Sequence, residues 1–201
     1  MGMKVIGITG GVGCGKTTIM DLIKEYFNNK KDKKVIFLMT DEISKNLLQP
    51  EQKAYIQVVE LFGEAIVNKD KTICREKLAE IIFKNPNKRM VLNSIIHPLV
   101  KQEVINTINT MRIAQADYVF VESALLYDDH YELFCDETWY IYAPKEQRIL
   151  RLKSSRGYSQ EKVESIMKSQ YTEQEFKNKC DVVIYNDGTY DDIRQQLVKL
   201  L

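Results

Sequence analysis

Residues 10–17 read GGVGCGKT, and the fold turns on how these eight residues are read. They match the spacing G-x-x-x-x-G-K-[ST], with Gly10, Gly15, Lys16 and Thr17 at the fixed positions. Upstream, Val5-Ile6-Gly7-Ile8-Thr9 is an apolar run that predicts a buried strand. Downstream, Ile19, Leu22, Ile23, Tyr26 and Phe27 fall at i, i+3, i+4, i+7 and i+8, which predicts an amphipathic helix. A strand, a glycine loop and a helix in that order give the motif its required setting. Glycines let successive backbone N–H groups turn inward as an anion cradle, and the helix N-terminus adds positive potential behind them. Lys16 then reaches β- and γ-phosphates, and the Thr17 hydroxyl is a ligand for Mg²⁺.

Further along, residues 35–39, 118–122, 138–142 and 182–185 read as four more apolar strands. Between them, residues 51–111 show helical periodicity and no convincing strand. There Val100, Val104, Ile108 and Met111 form one apolar stripe, and Pro86 and Pro98 read as punctuation. Helices are expected over 145–155 and 159–170. Thr172 with Glu175 and Thr189 with Asp192 read as capping boxes opening two more. Near-continuous apolar strands alternating with helices predict an α/β fold, a five-stranded parallel sheet flanked by helices. Ligands of such sheets bind beyond the carboxyl ends of the strands. That rule assigns residues 10–17, Asp41 and Glu122 to one edge.

Composition narrows the partners. The 201 residues carry a net charge of +1, without the basic surplus of a nucleic-acid protein. A hydrophobic fraction of 44% and a charged fraction of 28% are ordinary for a globular chain. No apolar run reaches the ~18 residues that span a membrane, and no signal peptide is expected, because strand residues begin at once. Cys14, Cys74, Cys135 and Cys180 make no C-x-x-C pair, and His97 and His130 lie far from them in sequence. Reduced thiols in a cytoplasmic protein are therefore expected, with no zinc site. The NNKKDKK run at 28–34 reads as a solvated turn.

Three groups have two readings each. Asp41 follows the second strand, either as a carboxylate serving a substrate hydroxyl or Mg²⁺, or as the N-cap of a helix starting near Ile43. Glu122 ends the third strand, either as the acid that orients a metal's water shell or as a strand-end surface residue. Arg148, Arg151 and Arg156 form either a phosphate-closing lid or a solvated helix face.

Taken together, the chain resembles the dephospho-coenzyme A kinase family of P-loop kinases. The resemblance is carried by IGITGGVGCGKTT (6–18), Thr40-Asp41-Glu42-Ile43, LFGEAIV (61–67), Arg75, IIHP (95–98), ESALLYD (122–128), QRILRLKSSRG (147–157), Gln170, Cys180-Asp181 and Asn186-Asp187-Gly188. It implies phosphorylation of the 3′-hydroxyl of dephospho-coenzyme A by ATP with Mg²⁺. It further implies that Gly11, Val12, Gly13, Cys14, Gly15, Lys16, Thr17, Thr18 and Arg156 hold ATP. Asp41 would be the base, with Lys16 and Arg151 in the chemistry. Asp41, Arg75, His97 and Leu125 would meet dephospho-coenzyme A, and Thr17 and Glu122 the metal. A single domain is implied, with a core of 1–48, 115–147 and 179–201, a helical substrate insertion of 49–114 and a lid of 148–178. The resemblance implies a small-molecule partner, no nucleic acid, no membrane and a monomer or weak homo-oligomer.

Met39 stands where the family has the first acid of an Asp-x-Asp pair. Ala124 replaces its Pro, and Asp128 its Glu. Other readings of the scaffold are another small-molecule or nucleoside monophosphate kinase, or a nucleotide-dependent regulatory ATPase.

Overall fold

β1 (Lys4–Thr9) runs through the glycine loop into α1 (Lys16–Asn28), in the order the motif demands. Then follow β2 (Val35–Met39), α2 (Thr40–Leu47), α3 (Lys53–Phe62), α4 (Arg75–Lys84), α5 (Pro86–Ile113), β3 (Tyr118–Glu122) and β4 (Glu137–Tyr142). The chain closes with α6 (Lys145–Arg156), α7 (Gln160–Lys168), α8 (Glu173–Lys179), β5 (Val182–Tyr185) and α9 (Tyr190–Leu200). This computed structural model describes residues 2–28 and 30–201, so Asn29 of the basic turn lies outside the described residues. The chain divides into two compact units: the residues up to Phe37 with Met111–Leu201, and Leu38–Thr110.

The first unit is built on a five-stranded parallel sheet in the order β2-β3-β1-β4-β5, as the strand pattern predicts. Its core is closed on both faces. Ile6, Ile8, Phe120, Trp139, Ile141 and Ile184 of the strands are solvent-free. So are Ile19, Met20 and Ile23 of α1, while Ile193 and Leu197 of α9 are buried too. Each fully buried aliphatic side chain contributes about 1.5–3 kcal/mol relative to exposure. Tyr140 stacks on Phe176 of α8 at 4.7 Å between ring centres, which ties the last third of the chain to the sheet. Register then sets the chemistry. Ile8 pairs with Glu122 and Thr9 with Tyr140, so the carboxyl ends of β1, β3 and β4 finish together, and the Asn186 N–H reaches Tyr142 O at 2.8 Å. The two expected capping boxes are present: Thr172 with Glu175 opens α8, and Thr189 with Asp192 opens α9.

The second unit is helical, with one isolated antiparallel bridge, Val67 to Ile73. Val58, Ile66, Leu78 and Leu92 form its buried centre, with Leu48, Phe62, Ile73 and Ile95 packed against them. Pro86 opens α5, the position where a missing N–H costs nothing. Pro98, by contrast, does not punctuate: it lies inside α5, which runs unbroken for 28 residues. The His97-Pro98 step therefore starts no helix. An interior proline costs a helix ~3 kcal/mol. The buried stripe on both sides of it, Leu92 before and Val100, Val104 and Ile108 after, outweighs that cost.

Candidate active site

The glycine loop owes its shape to where its carbonyls go. Gly13 (φ +78°) and Gly15 (φ +93°) adopt left-handed backbone, and a Cβ on Gly13 would press on the Arg148 carbonyl at 2.9 Å. The loop carbonyls are occupied by protein donors. Gly10 O accepts from Lys16 Nζ (2.9 Å) and Val12 O from Arg148 Nε (2.8 Å). Cys14 O accepts from both Asn186 Nδ2 (2.7 Å) and Arg151 Nη1 (3.3 Å). With those oxygens engaged, and the Cys14 N–H turned to Gly11 O at 3.2 Å, the other N–H groups of the loop are what remains to face an anion. The first amide of α1 to find a backbone acceptor is that of Ile19, on Gly15 O at 3.1 Å, so the helix presents its unpaired N-terminal donors behind the loop. Val12 is an exception among the expected phosphate contacts: its N–H donates to Gln170 Oε1 at 2.8 Å.

Glu122 is only 6% exposed, and its Oε1 lies 3.8 Å from Lys16 Nζ. It is therefore a buried acid facing the loop's lysine and not a strand-end surface residue. A carboxylate so buried needs a cationic neighbour. Thr17, at the head of α1, is exposed. The hard oxygens of Thr17 and Glu122 suit Mg²⁺ and fit the expected assignment. The described residues hold no cluster of three or more His, Cys, Asp or Glu side chains able to bind a metal, so the remaining ligands would come from phosphate and water.

Of the three arginines, Arg148 and Arg151 reach the loop. The Arg151 guanidinium also donates to Asn186 O (3.0 Å) and Gln147 Oε1 (3.3 Å), which makes it a brace behind Cys14. Arg156 is exposed and lies over the Tyr158 ring at 5.9 Å. A cavity of about 420 Å³ opens beside the loop, lined by Gly15, Thr18, Arg151, Asn186, Gly188 and Tyr190. Leu125 lines a different one, of about 270 Å³, with Ala124, Asp128, Lys168 and Gln170.

In the second unit, β2 passes directly into α2, so Asp41 sits in the first helical turn and Met39 occupies the N-cap without a side-chain bond. The N-cap reading of Asp41 is thereby corrected, because the helix starts before Asp41 and not near Ile43. Its exposed carboxylate instead opens onto a cavity of about 620 Å³, together with Ser44, Lys45, Asn68, Thr72 and Arg75. Arg75 enters as the first residue of α4. Asn68 and Thr72 are supplied by a tight turn: Asn68 N donates to Thr72 O at 2.8 Å, and Lys71 is left-handed. The Thr72 hydroxyl and amide both donate to Asp70, holding its carboxyl below the usual range. Asp41 and Arg75 are thus brought together, whereas His97, half-buried midway along α5, is not among the cavity's lining. Lys45, Asn68 and Thr72 went unread. Lys45 carried a signal, one helical turn after Asp41; the turn residues carried none.

Known proteins resemble the chain over nearly its whole length. The dephospho-CoA kinase family model matches residues 4–192. The chain belongs to the dephospho-CoA kinase family. A dephospho-CoA kinase of Carboxydothermus hydrogenoformans is 31% identical over 99% of this chain and 93% of its own. One of Dehalococcoides mccartyi is 33% identical over 96% and 93%. The solved dephospho-CoA kinase of Campylobacter jejuni superposes with a TM-score of 0.69 at 25% identity, covering 98% of this chain and 94% of that one. The family is a transferase family with ATP as phosphoryl donor. Among the described residues no helix is long and apolar enough to cross a membrane.

Proposed function

We propose that the chain transfers the γ-phosphoryl group of ATP to the 3′-hydroxyl of dephospho-coenzyme A, with Asp41 as general base. The observation that supports this most is that Asp41 and Arg75 line the same cavity of about 620 Å³, a carboxylate and a guanidinium facing one space. A ribose hydroxyl can give its proton to the first, and a substrate phosphate can take a bidentate bond from the second.

In this reading the amides of residues 10–17 that no protein acceptor takes hold the ATP phosphates, and Lys16 leaves Gly10 O to meet them. Adenosine occupies the cavity lined by Asn186 and Gly188. Transfer passes through a loose, in-line transition state, so positioning and charge supply most of the acceleration. Thr17 and Glu122 would hold Mg²⁺, which when bound neutralises charge on the β- and γ-phosphates. Arg151 acts through the loop it braces. Arg156, His97 and Leu125 complete the proposed contacts, the first with ATP after movement of the 148–178 segment, the other two with the acceptor. The enzyme works in the cytoplasm as a monomer or weak homo-oligomer.

The test is Asp41→Asn. A general base is worth about 10²–10⁴ in rate, so kcat should fall by that factor while ATP binds as before. Wild-type turnover in the folded variant would remove Asp41 from the chemistry.

A further inference from the structure

Val12 is gripped at both of its polar backbone atoms by one stretch of chain. Arg148 Nε donates to its carbonyl and Gln170 Oε1 accepts from its N–H, both at 2.8 Å. Arg148 belongs to α6, and Gln170 lies in the connection just past Ser169, the C-cap of α7. Val12 sits between Gly11 and Gly13, so its own neighbours offer no side chain to fix it. A glycine-rich loop loses much conformational freedom on ordering, and bonds from outside must supply the restraint. The Arg148 bond holds only the Val12–Gly13 peptide plane. The Gln170 bond holds the Gly11–Val12 plane on the other side of the Val12 Cα, so the two together fix the loop on both sides of that residue. Gln170 is itself anchored, since its N–H donates to Met167 O at 3.2 Å.

Glutamine suits the task. Its carboxamide oxygen accepts from the amide without charge, and a carboxylate in the same place would set a negative group against a polyphosphate.

We infer that Gln170 is a positioning residue: from the α7–α8 connection it aims the phosphate-binding loop through the Val12 amide. This rests on the reading that residues 10–17 hold ATP. The Cys14 N–H turns inward to Gly11 O at 3.2 Å and Val12 gives its own donor to Gln170, which fixes the direction in which the remaining loop donors point.

The experiment uses the full chain with Gln170→Ala and Gln170→Glu, following hydrogen exchange at the Val12 amide and steady-state kinetics with ATP and dephospho-coenzyme A. In Gln170→Ala the Val12 amide should exchange about tenfold faster or more. Its kcat should fall roughly three- to tenfold, the factor that loss of one neutral hydrogen bond carries, with KM for dephospho-coenzyme A unchanged. Gln170→Glu should restore protection at Val12 and return kcat towards wild type, but raise KM for ATP about tenfold through like-charge repulsion. A merely structural role would move both variants together, in step with their unfolding midpoints, and that outcome overturns the inference. So does a wild-type kcat in Gln170→Ala. Failure of the wild-type protein to make coenzyme A would instead sink the functional reading, with the exchange result at Val12 unaffected.

Discussion

Gly15→Ala probes whether the loop is shaped by the carbonyl bonds described above. The perturbation has two separable parts. First, φ of +93° is left-handed territory, which strains a residue bearing a Cβ by about 1–3 kcal/mol. Second, that Cβ would overlap the Asn186 carboxamide, whose Nδ2 donates to Cys14 O at 2.7 Å. Asn186 can swing aside, but only by giving up that bond, worth about 0.5–1.5 kcal/mol. The sum is about 2–4 kcal/mol, or a fall of about 4–16 °C in Tm for a chain of this size. The assay is a double-mutant cycle in urea with Asn186→Ala. In the Asn186→Ala background the obstacle is already gone, so Gly15→Ala should cost less by about 0.5–1.5 kcal/mol. Strict additivity of the two changes would refute the claim that Asn186 is what Gly15 makes room for, and a wild-type midpoint for Gly15→Ala would refute the strain as well.

Arg75→Ala should raise KM for dephospho-coenzyme A about tenfold or more and leave KM for ATP unchanged, because a charged bond to a substrate phosphate is lost; equal effects on both constants would count against the assignment. Pro98→Ala should stabilise the protein by about 1–3 kcal/mol, since it restores a donor inside α5. A lower urea midpoint for that variant would mean that the proline is favourable where it stands. Burial, with Asp136, Glu132 and Asp181 nearby, pushes the Cys135 thiol up to about 12. The thiolate fraction at pH 8 is then only about 10⁻⁴, rising tenfold per pH unit up to that value. Alkylation of Cys135 in the native protein should therefore be slow at pH 8, accelerate with pH, and become fast once urea unfolds the chain. Prompt native labelling at pH 8 would contradict the burial argument.

What was legible in the sequence follows from the range over which each signal acts. The loop declared itself because glycines at fixed spacing answer to local backbone geometry, and the two capping boxes because both partners lie three residues apart. The strands were readable because a sheet covered on both faces needs continuous apolar runs. Pro98 misled because a local breaker was set against a stripe that runs from Leu92 to Ile108, and tertiary burial won. The N-cap reading of Asp41 failed because β2 hands directly to α2 with no linking residue. The bond from Gln170 to Val12 spans 158 positions and joins a side chain to a backbone amide, so no periodicity announces it. The same holds for the cavity residues Asn68 and Thr72, which a turn supplies and not a pattern.

The most direct measurement mixes purified protein with ATP, Mg²⁺ and dephospho-coenzyme A, then identifies the product by mass and by ³¹P resonance. The account predicts one new phosphomonoester on the ribose 3′-oxygen and one ADP for each coenzyme A formed. Release of ADP and inorganic phosphate at a rate that dephospho-coenzyme A does not raise would contradict it.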